Sequence, residues 1–190
     1  MEHLHPISAI VLNESGVLAR IAGMFARRGF NIESLAVGPT EDARYSRMTL
    51  MVRGGDRILE QVVKQLSRLI EVIKVSDLAT DPHVERELAL VKVHAPPAQR
   101  SEIIELAGIF RAKIVDVGRK NLIIEVSGDS GKVRALIEML RPFGIVELAR
   151  TGRIILARGQ QVTAGRSRPE APQRRRSPEE TEITTEVIVK

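Results

Sequence analysis

The sequence predicts an α+β fold made of two tandem βαββαβ units followed by a disordered tail. Three observations carry that prediction: the same order of strand-like and helix-like segments runs twice, a short polar segment at 79–83 separates the runs, and apolar periodicity stops beyond Gly159. Units of this order are ferredoxin-like, with helices packed on one face of an antiparallel sheet. A chain of 190 residues with 43% hydrophobic content can supply cores for two such units.

In the first run, residues 7–12 have the length and β-branched content of a buried strand. Asn13-Glu14-Ser15-Gly16 is a cluster of turn residues, with Ser15 placed to cap the next element. Val17/Leu18, Ile21/Ala22 and Met24/Phe25 then recur on one face of a helix over 16–28, and Gly29 stands where a left-handed cap needs a residue without Cβ. Strands are expected over 31–37 and 45–53. A helix is expected over 56–69, because Ile58/Leu59, Val62/Val63, Leu66 and Leu69/Ile70 repeat on one face behind a capping Asp56. A strand over 72–77 closes the unit.

After the linker Ala79-Thr80-Asp81-Pro82-His83 the order begins again. Strands are expected over 87–94, 113–117 and 122–127, helices over 99–110 and 130–140, and a final strand or ribbon over 145–157. Ser130 is the expected cap of the last helix. The domain boundaries read from this pattern are 1–79, 84–159 and a tail over 160–190.

The two strand-to-helix loops differ in chemistry. The first N–H groups of a helix have no internal partners, so the 13–16 loop can hold a carboxylate, with Asn13 offering a donor and an acceptor beside it. The matching loop of the second unit contains Pro96 and Pro97, which lack N–H groups and make a poorer anion cradle. Effector sensing is therefore expected in the first domain and contact with a partner protein in the second.

Several function classes are set aside. There is no apolar run near the roughly 20 residues that cross a bilayer, and residues 1–6 lack the features of a secretory signal. Zero cysteines exclude a disulfide framework, a thiolate metal site and a cysteine nucleophile, and fit a cytoplasmic protein. The net charge of +5 is scattered among acids, and one Tyr, four Phe and no Trp leave bases little to stack on, so no nucleic-acid partner is expected. The four histidines include no metal-binding helical pair, and His3 and His5 fall in a terminus expected to fray. Ser15 has no His nearby in sequence, and 128–132 lacks the glycine spacing of a phosphate loop.

The ordered identities from 13 to 50, then 59–66, 83–88, 90–93, 130–132 and 145–152, resemble the regulatory (small) subunit of acetolactate synthase, whose amino-terminal part is an ACT domain. The resemblance covers about residues 6–159. It implies a non-catalytic subunit that binds the catalytic (large) subunit, raises its activity and conveys feedback inhibition by valine or a related branched-chain amino acid. The large subunit would carry thiamine diphosphate, Mg2+ and FAD and condense two pyruvates, or pyruvate with 2-oxobutyrate; this chain would carry no cofactor. In the family two ACT domains pair side by side. The ligand then lies between Asn13, Gly16, Val17 and Leu18 of one copy and Asn31 and Ile32 of the other. The alternatives are an ACT-type regulator of another pathway enzyme or of transcription, which would need a DNA-binding module, and an enzyme with an undetected site.

Beyond Gly159 the composition turns to Arg, Pro, Ser and Gln, which cannot bury enough surface to offset ordering entropy. The arginines at 174–176 read as a solvated run, and 183–189 has strand propensity without an assigned role.

Overall fold

The computed structural model describes residues 3–159; the expectations for the tail, its disorder, its arginine run and its closing strand-like segment, lie outside them. The first unit runs β1 (His3–Leu12), α1 (Val17–Arg28), β2 (Ile32–Pro39), β3 (Tyr45–Gly54), α2 (Asp56–Leu66) and β4 (Val72–Asp77). The second runs β5 (His83–His94), α3 (Arg100–Ile109), β6 (Lys113–Val117), β7 (Asn121–Gly128), α4 (Ser130–Leu140), a short 3-10 turn, β8 (Ile145–Arg150) and β9 (Ile154–Ala157). The sheets have strand orders β2-β3-β1-β4 and β6-β7-β5-β8, the ferredoxin-like topology twice.

Strand alternation builds each core. Ile7, Ala9 and Val11 of β1 and Met48, Leu50 and Val52 of β3 meet Ile21, Met24 and Phe25 of α1 and Leu59, Val62 and Leu66 of α2. In the second unit Ala89, Val91 and Val93 and Leu122, Ile124 and Val126 meet Ile103 of α3 and Val133, Leu136 and Leu140 of α4. Truncating any of the large fully buried members to Ala costs about 2–5 kcal/mol.

The strands are longer than the sequence pattern implies, and β1 shows why. It begins at His3 although Pro6 lies inside a central strand. The Pro6 carbonyl accepts from Leu78 N–H at 3.0 Å, so its missing N–H faces the same side, beyond the last β1–β4 pair at Ile7 and Asp77, where no ladder bond is lost. The expected fraying is therefore overturned: His5 is buried and its Nε2 lies 3.0 Å from the Gly54 carbonyl oxygen.

Three expected caps move by one residue. Gly16, at φ 86°, takes the N-cap of α1 in place of Ser15, and no side chain caps it. Gly55, in extended conformation, precedes α2, so Asp56 is its first helical residue rather than its cap. At α4 the cap is Asp129, not Ser130: Asp129 Oδ1 accepts from Lys132 N–H at 2.9 Å. Gly29 does close α1 in the left-handed conformation. Helix α2 stops at Leu66, so Ile70 falls in the next turn and is 91% exposed instead of facing the core.

The Asp129 cap carries a pH-dependent prediction. The Lys132 N–H holds its carboxyl below the usual carboxylate range. A depressed folded pKa stabilises above the unfolded value and is lost as pH falls through the folded one. Asp129→Ala is expected to lower Tm at pH 7, and the gap to the native chain should shrink on acidification below about pH 4, read by thermal melts across that range.

The last expected ribbon runs along β5 as two strands separated by a one-residue register shift. β8 completes the second sheet against Ala89–Val93, and after Thr151-Gly152-Arg153 β9 continues along the leading part of β5, His83–Ala157 through Arg86–Ile154. Ile155 of this ribbon is buried with Met51 of β3 and Leu78, against Leu4 and Ala157. The two units thus share a small apolar joint on the face of the first sheet opposite its helices.

Candidate functional site

The loop after β1 is held by the neighbouring β2–β3 hairpin. Asn13 N–H donates to the Arg44 carbonyl at 2.8 Å and Asn13 Nδ2 to the Ala43 carbonyl at 3.0 Å. With its amide donor engaged there, Asn13 presents its side-chain oxygen as an acceptor. The hairpin is stiffened by Asp42, whose carboxylate takes both Nε and Nη2 of Arg44 and the Arg44 N–H. Those bonds hold the Asp42 carboxyl below its ordinary range. Arg44 also lies over the Tyr45 ring at 5.5 Å. The hairpin's part in fixing Asn13 was missed from sequence, where only Asp42 and Arg44 two residues apart in a turn hinted at it.

The helix start is open. At Gly16 the φ of 86° favours glycine, although a Cβ there would meet nothing within 4 Å. Arg20 N–H closes the first helical bond onto Gly16 O, and Val17 N–H reaches Glu14 O at a long 3.4 Å. Among the described residues the N–H groups of Gly16 and Leu18 meet no acceptor, so they remain available to an anion at the positive end of α1. Val17 places its side chain in the core and offers only backbone, while Leu18 is 47% exposed and supplies an apolar wall.

Asn31 and Ile32 lie elsewhere. They stand at the start of β2, where Ile32 pairs with Val52, whereas Leu12, before Asn13, pairs with Tyr45 at the far end of β3. Those ends are about 23 Å apart at roughly 3.3 Å per residue. One chain therefore brings Asn13, Gly16, Val17 and Leu18 together and leaves Asn31 and Ile32 at the opposite edge of the sheet. Asn31 is exposed, and its carbonyl accepts from Arg53 N–H at 3.5 Å.

The corresponding loop of the second unit is filled by the chain itself. Arg100 Nη2 donates to the carbonyls of Ala95, Gly118 and Arg119 at 3.1, 2.8 and 2.9 Å. A guanidinium anchored there, beside two prolines, gives this loop a structural task that the first loop lacks. Among the described residues no group of three or more His, Cys, Asp or Glu is placed to hold a metal ion, and no helix is long and apolar enough to cross a membrane.

The described residues thus form two ferredoxin-like units, the first with an open strand-to-helix cradle. Residues 7–74 match the family described as the small-subunit-like ACT domain of AHAS, and residues 86–159 match the family described as the small subunit of acetolactate synthase. A relative from Archaeoglobus fulgidus, named a probable acetolactate synthase small subunit, is 59% identical over 157 residues, covering 83% of this chain and 98% of the relative. The acetolactate synthase small subunit of Aquifex aeolicus is 53% identical over 159 residues, covering 83% of each. The crystal structure of the Thermotoga maritima acetolactate synthase small subunit superposes with a TM-score of 0.77 at 42% identity, over 84% of this chain and 99% of that one. The chain belongs to the acetolactate synthase small subunit family.

Proposed function

We propose that this chain is the non-catalytic regulatory subunit of an acetolactate synthase, which activates the catalytic subunit and conveys feedback inhibition by valine or a related branched-chain amino acid. The observation that carries the reading is the open end of α1. The N–H groups of Gly16 and Leu18 have no acceptor among the described residues, a Cβ at Gly16 would meet nothing within 4 Å, and Asn13 three residues earlier keeps its side-chain oxygen as an acceptor. An α-carboxylate suits those N–H groups, an α-ammonium suits the amide oxygen, and Leu18 with Ile32 can enclose an isopropyl group. The thiamine diphosphate, Mg2+ and FAD of the reaction belong to the catalytic partner, and the complex is cytoplasmic.

The separation of the two half-sites favours a site shared by two copies. β2 is an edge strand, and its Val37 is 47% exposed. Covering such an edge with the same strand of a second copy, antiparallel, sets the start of one β2 beside the end of the other. The end of β2 pairs with Ser46, at the same end of the sheet as the cradle. Asn31 and Ile32 of the second copy are thereby set at the same end of the joined sheets as Asn13 and Gly16 of the first, which supports a homodimer with two equivalent sites between those ends.

Titrating the full chain with valine by calorimetry tests the reading. One valine per chain is expected, with a rise in Tm that follows RT ln(1 + [L]/Kd). Absence of binding by valine, leucine and isoleucine contradicts it. A second expectation concerns the tail: a chain ending at 162 should bind the catalytic subunit, activate it and respond to valine as the full chain does, because all the described elements end before that point. Loss of catalytic-subunit binding on this truncation would instead make the basic run at 174–176 an interaction element.

A further inference from the structure

The two units come into backbone contact at the elbow between β8 and β9. Gly152 there has φ 79°, and a Cβ on it would lie 2.9 Å from Ser34 Oγ and 3.0 Å from the Leu35 carbonyl oxygen. Backbone conformation and the nearness of β2 both exclude a side chain. The next residue locks the contact: Arg153 N–H donates to Ser34 Oγ at 3.2 Å.

On the side of the second unit the elbow is clamped. Thr151 N–H donates to the Leu88 carbonyl at 3.0 Å, and Thr151 Oγ1 accepts from Leu88 N–H at 3.1 Å. The Arg153 guanidinium lies 3.6 Å from Glu85 and 3.9 Å from Glu87. Glu85 accepts from Ser130 N–H at the start of α4, and buried Glu87 also takes Arg150 of β8, with Nε at 3.0 Å. A displacement of the elbow therefore pulls on β5, β8 and α4 together.

On the side of the first unit the contact sits beside the proposed effector half-site. Ser34 follows Ile32 by two residues, and the β2–β3 register slips between them, leaving Glu33 in a bulge. Glu33 is tied to Arg53 at 2.6 Å, and Arg53 N–H reaches the Asn31 carbonyl. A bulge leaves one residue out of the ladder, bends the strand and increases its local twist, and here it separates Ile32 from Ser34. A cleft of about 610 Å³ lined by Glu33, Arg53, Glu87, Arg134 and Arg150 flanks the elbow and gives it room to shift.

We propose that the Gly152–Ser34 contact is the joint through which effector occupancy reaches the second domain. Ligand engaging Asn31 and Ile32 resets the Glu33 bulge, the bulge moves Ser34, and the elbow carries that movement to β5, β8 and α4. The inference rests on the effector reading above and adds the route of its regulation. To the extent that valine changes the affinity for the catalytic subunit, binding of the catalytic subunit changes valine affinity by the same factor.

The test uses full-length Gly152→Ala and Ser34→Ala, each assembled with the cognate catalytic subunit. Three quantities are measured: valine affinity of the free regulatory chain, activation without valine, and the fraction of activity remaining at saturating valine. Both variants are expected to bind valine within about three-fold of the native chain and to activate, while the factor by which valine changes activity falls about five-fold or more. Ser34→Ala removes only a hydroxyl and keeps the test open if Gly152→Ala folds poorly. Native inhibition in both folded variants overturns the proposal. Parallel loss of valine binding also overturns it, by showing a merely structural role. A native chain that fails to bind valine at all contradicts the effector reading itself and removes the basis for this one.

Discussion

Replacing Gly16 with Asp is expected to abolish the valine response while leaving activation of the catalytic subunit intact. The new carboxylate would stand at the open end of α1, where the N–H groups of Gly16 and Leu18 lack acceptors and where the proposed site takes the carboxylate of the ligand. Two like charges at about 4 Å repel by roughly 4 kcal/mol at an effective dielectric near 20, equivalent to a loss of about two to three orders of magnitude in affinity. The backbone cost is smaller. A left-handed φ of 86° disfavours any side chain, by about 1–2 kcal/mol, but space is not limiting, since a Cβ at this position meets nothing within 4 Å. Gly16→Asn separates the two effects, because it carries the same backbone cost without the charge. Calorimetric titration should find binding weakened in the Asn variant and undetectable in the Asp variant, with both melting as folded proteins. Equal binding by Gly16→Asp and the native chain would remove the cradle from the site.

Mixed dimers give the second large effect. Asn31→Ala is expected to weaken valine binding about ten-fold or more, the loss of a polar bond to a charged group. Since Asn31 and Gly16 lie at opposite ends of the sheet, a heterodimer of Gly16→Asp and Asn31→Ala carries one doubly damaged site and one intact site. Purified heterodimers should therefore recover one native-affinity valine per dimer, although neither homodimer binds normally. Heterodimers that recover none, from variants that fold, would contradict a site shared across the dyad.

The order of elements was legible because the core is made by simple periodicity. Ile21, Met24 and Phe25 and the alternating Leu122, Ile124 and Val126 announce their faces in sequence. Residue type alone could not place the caps, since Ser15/Gly16, Gly55/Asp56 and Asp129/Ser130 each put two capable residues side by side and backbone φ decides between them. Pro6 hid the true start of β1, because only tertiary structure shows that its missing N–H faces a position past the end of β4. Ile70 matched the helical period of α2, but that helix had already ended at Leu66. Of the candidate site, the strand-to-helix loop at 13–16 was readable from turn residues before a helix, whereas its support by Ala43 and Arg44 was not. The elbow at Gly152 was also hidden: it depends on a contact with Ser34 that is remote in sequence and that no local pattern encodes.

Regulation of an acetolactate synthase by a branched-chain amino acid acting through this chain is read out in one assay: the rate of acetolactate formation by the cognate catalytic subunit, with and without this chain, across concentrations of valine, leucine and isoleucine. A higher rate is expected when the chain is added, with a fall toward the unassisted rate as at least one of the three amino acids saturates. A rate unchanged by the chain, and unchanged by all three amino acids in its presence, would contradict that role.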